Sequence, residues 1–111
     1  MKHILITGVS TGIGRHAADH FASNGWKVFG SVRSLDDVAG LVTQHGSRFV
    51  PVVMDVTQPD QVDQAARQVA GILAGSKLDV LVNNAGIATF GPLIHVPLEV
   101  FDYQLRVNVH G

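Results

Sequence analysis

The sequence predicts an α/β protein, a doubly wound parallel sheet of strand order 3-2-1-4 that ends in the helix after its fourth strand. Three observations predict it. Short continuous apolar runs, such as Ile4-Leu5-Ile6 and Val80-Leu81-Val82, alternate with stretches of helical apolar spacing, as strands buried on both faces alternate with covering helices. The first run passes directly into glycines at 8, 12 and 14, and an amphipathic helix pattern follows them. The third run contains Pro51, which cannot donate to a ladder and so belongs on an edge strand, the place of strand 3 in this order.

Taken in order, the first strand is expected over about His3 to Thr7 and the first helix over about Gly12 to Asn24. Ile13, Ala17 and Phe21 recur at i, i+4 with Ala18 and Ala22 beside them, which makes one apolar face, and Gly25 suits the left-handed position past the helix end. The second strand follows over Trp26 to Val32. Asp36 and Asp37 open a short helix, Leu35 to Gln44, with Val38, Leu41 and Val42 inward. The third strand spans Arg48 to Met54. Thr57 and Asp60 form a capping-box-like pair for a helix over Pro59 to Ala74, ended by Gly75, whose apolar residues Val62, Ala65, Ala66, Val69, Ile72 and Leu73 keep helical spacing. The fourth strand is Leu78 to Val82, with Asp79 early in it. Residues 87–96 read as a loop, and a last helix starts near Pro97, placing Phe101, Leu105 and Asn108 on one face.

The glycine loop carries the chemistry. A strand, a glycine turn and a helix N-terminus together present free N–H groups and a positive dipole end to an anion. Gly8, Gly12 and Gly14 give G-x-x-x-G-x-G rather than G-x-G-x-x-G, and Arg15-His16 after Gly14 exclude a P-loop, which needs Lys and then Ser or Thr there. An acidic residue about 20 positions past such glycines holds the ribose 2′-OH of NAD, whereas a nearby arginine accommodates the 2′-phosphate of NADP. Here the second strand ends Val32-Arg33, and a guanidinium can hold a phosphate by two parallel bonds. Asp55-Val56 at the carboxyl end of the third strand border the ligand crevice of an open α/β sheet. Asn83-Asn84 at the mouth of a buried sheet need hydrogen-bond partners, as does Asn108 on an apolar helix face.

Thr7-Gly8-Val9-Ser10-Thr11-Gly12-Ile13-Gly14 resembles the T-G-x-x-x-G-I-G signature of the short-chain dehydrogenases/reductases, and Asn83-Asn84-Ala85-Gly86 resembles the N-N-A-G signature of that family. Asp55-Val56 and Val107-Asn108-Val109 fall where the family has them, so the resemblance runs end to end. It implies a Rossmann-type fold and a cofactor held by Gly8, Ser10, Thr11, Gly12, Ile13, Gly14, Arg33, Asp55, Val56, Asn84, Ala85 and Gly86. Within that set, Asp55 meets the adenine amino group, Asn84 steadies the sheet, and Ala85 and Gly86 line the cofactor. Val32 stands where NAD-specific members carry Asp, so NADP is expected ahead of NAD. Asn108 matches the asparagine of the family's catalytic tetrad, which holds a water in a proton relay.

The resemblance also implies a small alcohol or carbonyl substrate, with Phe90 and Leu93 as candidates for its wall, and a homo-oligomer when full length. The family's proton-transferring Tyr-x-x-x-Lys is not among these residues, because four positions after Tyr103, the single tyrosine, stands Val107. The expectation is therefore the N-terminal half of an enzyme about twice as long, one incomplete domain over residues 1–111 and inactive by itself. The other reading is a non-catalytic nucleotide-binding module. A methyltransferase-like nucleotide fold is a weaker third, opposed by Asn83-Asn84-Ala85-Gly86.

Composition excludes several classes. The chain has 111 residues, 46% hydrophobic, room for one domain with a substantial core. A net charge of −1 without a basic run gives no support for nucleic-acid or membrane-surface binding. Without cysteine there is neither a disulfide nor a thiolate metal site. His16 and His20, at i, i+4 but with no H-E-x-x-H pattern, are expected to face solvent and no metal is expected. The apolar run at the start is too short for a signal-peptide core or membrane span, so the cytoplasm is the expected location.

Overall fold

The structure, a computed structural model, describes residues 1–86 and 97–110, apart from the side chains of residues 101 and 110. Four parallel strands, β1 (His3–Ile6), β2 (Lys27–Val32), β3 (Phe49–Val53) and β4 (Val80–Val82), form one sheet in the order β3-β2-β1-β4. Helix α1 (Gly12–Ser23) follows β1, α2 (Ala39–His45) follows β2 after a 3₁₀ turn (Leu35–Val38), and α3 (Pro59–Leu73) follows β3. Helix α4 (Leu98–Leu105) continues into a π-helical turn, Arg106–His110. The strand order is the one the apolar runs and Pro51 predict. Pro51 lies opposite Gly30 on edge strand β3, where its missing N–H costs nothing.

Period-2 alternation sorts the strands onto two faces. Ile4, Ile6, Val28, Val32 and Phe49 pack with Val9, Ala18, Ala22, Val38 and Leu41 under α1 and α2, every one at most 3% exposed. Leu5, Phe29, Val50, Val52 and Met54 face the other way, toward Ala65, Val69 and Leu73 of α3. His45 Nε2 and Asp19 Oδ1 lie 2.7 Å apart and tie α2 to α1. Gly25, at φ 88°, takes the left-handed position expected of it, and its N–H donates to the Ala22 carbonyl. Asp79 earns its place in an apolar run by accepting a 2.8 Å hydrogen bond from the His3 N–H at the start of β1.

Four expectations need correction. The second helix opens as a 3₁₀ turn, and the change of pitch at Val38 keeps Val38 and Leu41 buried while turning Val42 outward, to 39% exposure. Ile13 does not join the apolar face of α1; it is 82% exposed at the loop–helix junction, since that face is filled by Gly14, Ala18 and Ala22. Thr57 and Asp60 make no capping box, because α3 begins at Pro59 behind Gln58 and the Thr57 side chain is spent on Asp55. On the last helix, Leu105 and Asn108 do not make a buried face: Leu105 is 41% exposed and Asn108 exposed, whereas Val107 is buried. The loop expected at 87–96, with Phe90 and Leu93, and the Phe101 side chain lie outside the described residues.

Candidate cofactor site

At the carboxyl ends of the strands, β1 delivers the glycine loop against both neighbours. The Gly8 N–H donates to Ser31 Oγ at 3.0 Å and the Val9 N–H to the Ser31 carbonyl at 3.0 Å, so one residue of β2 holds both peptide groups at the turn. On the other side Thr7 Oγ1 accepts from the N–H groups of Asn84 and Ala85, each at 2.9 Å. The Asn84 amide Nδ2 returns hydrogen bonds to the Thr7 and Gly8 carbonyls at 3.2 and 3.1 Å. The Asn84 amide therefore closes on the turn itself, which satisfies its polar groups and fixes β4 to β1 beyond their last ladder pair, whereas Asn83 is exposed and needs no buried partner.

Two glycines are required here by space. Gly8 has φ 73°, and a Cβ on it would lie 2.8 Å from Ala85 Cα. A Cβ on Gly14 would collide with the Gly8 carbonyl and press on the Asn84 amide. Between them, Thr11 caps α1 only by its backbone position, with no side-chain bond to the first turn. The opening N–H groups of α1 thus face the crevice uncapped, at the positive end of a 12-residue helix. No acidic residue occupies that first turn.

The crevice beyond the loop has a volume of about 320 Å³, within the usual range of ligand sites. It gathers Gly8, Ser10, Thr11, Gly12 and Ile13 from the loop, Arg33 from the end of β2, Asp55 and Val56 from the end of β3, and Asn84, Ala85 and Gly86 after β4. Eleven of the thirteen site residues expected from sequence are brought to it. Gly14 lies behind the loop as packing, and Asn108 sits beside Gly86, where an added Cβ would be 3.3 Å from its Oδ1. Ile13, misplaced as core, forms part of the rim.

Asp55 is organised for an anionic role. Its Oδ1 accepts from the Thr57 hydroxyl at 2.7 Å and the Thr57 N–H at 2.9 Å, an Asx-type turn, while the Asp55 N–H donates to Gln61 Oε1 at 2.8 Å. The Thr57 hydroxyl, then the Thr57 N–H, and more weakly the positive charges of Arg33 and Arg106, hold the carboxyl below its ordinary value against the opposing effect of burial. A carboxylate and a guanidinium therefore share the crevice as charged groups without pairing.

Several residues that support the site are not among those expected from sequence to form it. Ser31 and Thr7 work through partners far along the chain. Arg15 donates from Nη1 to the Ser10 carbonyl at 3.3 Å and the Asp37 carbonyl at 2.8 Å, clamping the segment after Arg33 to the glycine loop. Tyr103 and Val107, one turn apart, bring α4 to the crevice, where the Tyr103 hydroxyl accepts a 3.2 Å hydrogen bond from Arg33 Nη1.

The family model described as short chain dehydrogenase matches residues 2–111. The chain belongs to the short-chain dehydrogenase family. Among its relatives is the NADPH-dependent 3-dehydrocapnine reductase of Ornithobacterium rhinotracheale, 39% identical over 109 residues, 98% of this chain and 38% of that one. Among solved structures, a short-chain dehydrogenase from Streptomyces avermitilis superposes with a TM-score of 0.90 at 29% identity, covering 99% of this chain and 40% of that one. The 3-ketoacyl-(acyl-carrier-protein) reductase of Brucella melitensis, complexed with NADH, superposes with a TM-score of 0.89 at 33% identity, covering 97% and 44%. The chain thus spans about two fifths of the length of the relatives it matches. Membership confirms the resemblance carried by the two glycine and asparagine signatures, and with it the Rossmann-type doubly wound fold. No described helix is long and apolar enough to cross a membrane.

Proposed function

We propose that these residues form the cofactor-binding half of an NADP-dependent oxidoreductase that interconverts an alcohol and a carbonyl compound by hydride transfer. The observation that carries the cofactor choice is Arg33: it leaves the end of β2 into the crevice directly after Val32, where a carboxylate for a ribose 2′-OH would otherwise stand. Names alone do not decide it, since one similar protein is NADPH-dependent and another is complexed with NADH.

The residues present fit a dinucleotide. Gly12, at φ 62° with open space where a Cβ would stand, lets backbone approach a pyrophosphate, and the uncapped first turn of α1 offers it N–H donors with the dipole's positive end behind them. Ser10 and Thr11 flank that position, and Ile13 covers it from the rim. Arg33 takes the 2′-phosphate by charge-assisted bonds. Asp55, kept ionised, accepts from the adenine amino group, with Val56 beside the ring. Ala85 and Gly86 pass under the remainder of the cofactor, where larger side chains would obstruct it, and Asn84 keeps the sheet end closed. When bound, the cofactor supplies or accepts the hydride. Asn108, next to Gly86, holds a water for the proton side of the reaction in this reading, and the Tyr and Lys that move the proton are assigned outside these 111 residues. By itself the 111-residue chain is therefore expected to bind nucleotide without turnover. The substrate is a small alcohol or carbonyl compound, and the complete enzyme is a cytoplasmic homo-oligomer.

Exchanging Arg33 for Asp tests the cofactor assignment. Losing a charge-assisted phosphate contact and adding a repelling carboxylate should weaken NADPH at least about 10- to 100-fold, with a much smaller change for NADH, in fluorescence titrations. Equal losses for both nucleotides would refute the 2′-phosphate site.

A further inference from the structure

Arg33 is exposed, on a long side chain at the end of a strand, and such a side chain spends conformational freedom when it binds an anion. In this structure it is not loose. Its Nη1 donates to the phenol oxygen of Tyr103, seventy residues away, at 3.2 Å. Tyr103 is half-buried and, with Val107 one helical turn on, forms the α4 wall of the same crevice that Asp55 and Val56 border. Among the described residues Arg33 enters no ion pair within 4.0 Å. Its tether is a neutral oxygen, which orients a guanidinium without cancelling the charge that an anionic ligand needs. A carboxylate in the same place would hold the arginine equally well and compete with the phosphate.

We infer that Tyr103 is a positioning residue for Arg33, and so a second determinant of preference for a nucleotide bearing a 2′-phosphate. This rests on the reading of Arg33 as the 2′-phosphate contact. The phenol accepts one of the five guanidinium N–H groups and leaves the others to the ligand. The aromatic ring does separate work, closing the nucleoside end of the crevice from the α4 side.

The hydroxyl and the ring are separated by Tyr103→Phe, and the test uses 2′,5′-ADP and 5′-AMP, which differ by the 2′-phosphate and occupy only the adenosine end. Calorimetric titration of the 111-residue chain should show Y103F binding 2′,5′-ADP about 3- to 10-fold more weakly, with 5′-AMP unchanged. In an Arg33→Ala background the same substitution should change neither affinity, because the hydroxyl acts through Arg33. A loss of similar size for both ligands, no loss for either, or a loss that persists without Arg33 overturns the inference. The Arg33 reading is judged separately by the parent chain: if it does not favour 2′,5′-ADP over 5′-AMP, that reading fails and the inference fails with it. If the preference is present and R33A abolishes it while Y103F leaves it intact, only the role of Tyr103 is overturned.

Discussion

Under α1 and α2, Ile4, Ile6, Val9, Ala18, Ala22, Val28 and Val38 are at most 1% exposed, whereas on the opposite face Leu81 is 56% and the α3 residues Val62 and Ile72 are each 39% exposed. Helix α3 covers Phe29, Val52 and Met54 near the β3 edge but leaves a groove of about 610 Å³ above β1 and β4, lined largely by apolar side chains including Leu5, Leu78 and Leu81. That groove is larger than the candidate site, yet among the described residues it is lined by no glycine, and the α3 N-terminus that borders it carries Asp60 in its first turn. The site itself lies where the two faces meet. Its glycine-loop end, with Val9 and Gly14, rests on the closed face; its other end, with Asp55, Val56 and Tyr103, is reached from the elements of the open one. The comparison teaches that the glycine loop is held by a finished core, while the Asp55 and Tyr103 end of the crevice is assembled from elements with less packing beneath them.

The sharpest way to break that comparison is to truncate one strand side chain on each face of the sheet. Ile6→Ala, at a position with 0% exposure, should cost about 2–5 kcal/mol, while Leu81→Ala should cost under about 1 kcal/mol, read by urea denaturation at equal protein concentration. Similar costs at the two sites would mean that the two faces are equally finished. A smaller effect is expected in association. Strand β4 is an edge of the described sheet with Leu81 exposed on the open face, so the 111-residue chain should sediment as a concentration-dependent mixture, and Leu81→Lys should shift it toward monomer. A wild-type chain that is monodisperse and monomeric at high concentration would contradict the reading of the open face.

The smallest effect concerns the Asp55 end of the crevice. Thr57→Val removes the hydroxyl bond that contributes most to lowering the Asp55 pKa, leaving the Thr57 N–H, so a carboxyl NMR titration should place Asp55 higher in the variant. The sign for stability follows. A carboxyl whose folded pKa lies below its unfolded one stabilises above the unfolded value of about 3.9 and loses that contribution as pH falls through the folded value. The stability gap between wild type and T57V should therefore be present near neutral pH and narrow under acid conditions. An unchanged Asp55 titration would show that Thr57 does not organise this end of the crevice.

What was legible in the sequence was local. Apolar runs and helical spacing located the four strands and the helices between them, since each records burial over a few consecutive residues. Gly8, Gly12 and Gly14 marked the turn because backbone conformation and close approach restrict residue type at the site itself. Pro51 identified the edge strand for the same reason. The failures were also local in form but tertiary in cause. Ile13 fits a helical apolar stripe, yet the helix presents it to the crevice; Thr57 fits a capping pattern, yet Asp55 lies within reach of its hydroxyl and takes it.

By itself the sequence determined the strand–turn–helix order, the edge position of β3 and the cluster of glycines and polar residues that end the strands, because steric and burial constraints act on each residue where it stands. Only the tertiary structure decided which side chains support the site. Ser31 meets Gly8 across 23 residues, Arg15 meets the Asp37 carbonyl across 22, Thr7 meets Asn84 across 77 and Arg33 meets Tyr103 across 70. A serine, a threonine, an arginine or a tyrosine makes bonds of this kind with many partners, so its residue type does not specify one. The partner is chosen when parallel pairing brings the ends of β1, β2 and β4 to one level and α4 is laid against the crevice beside them.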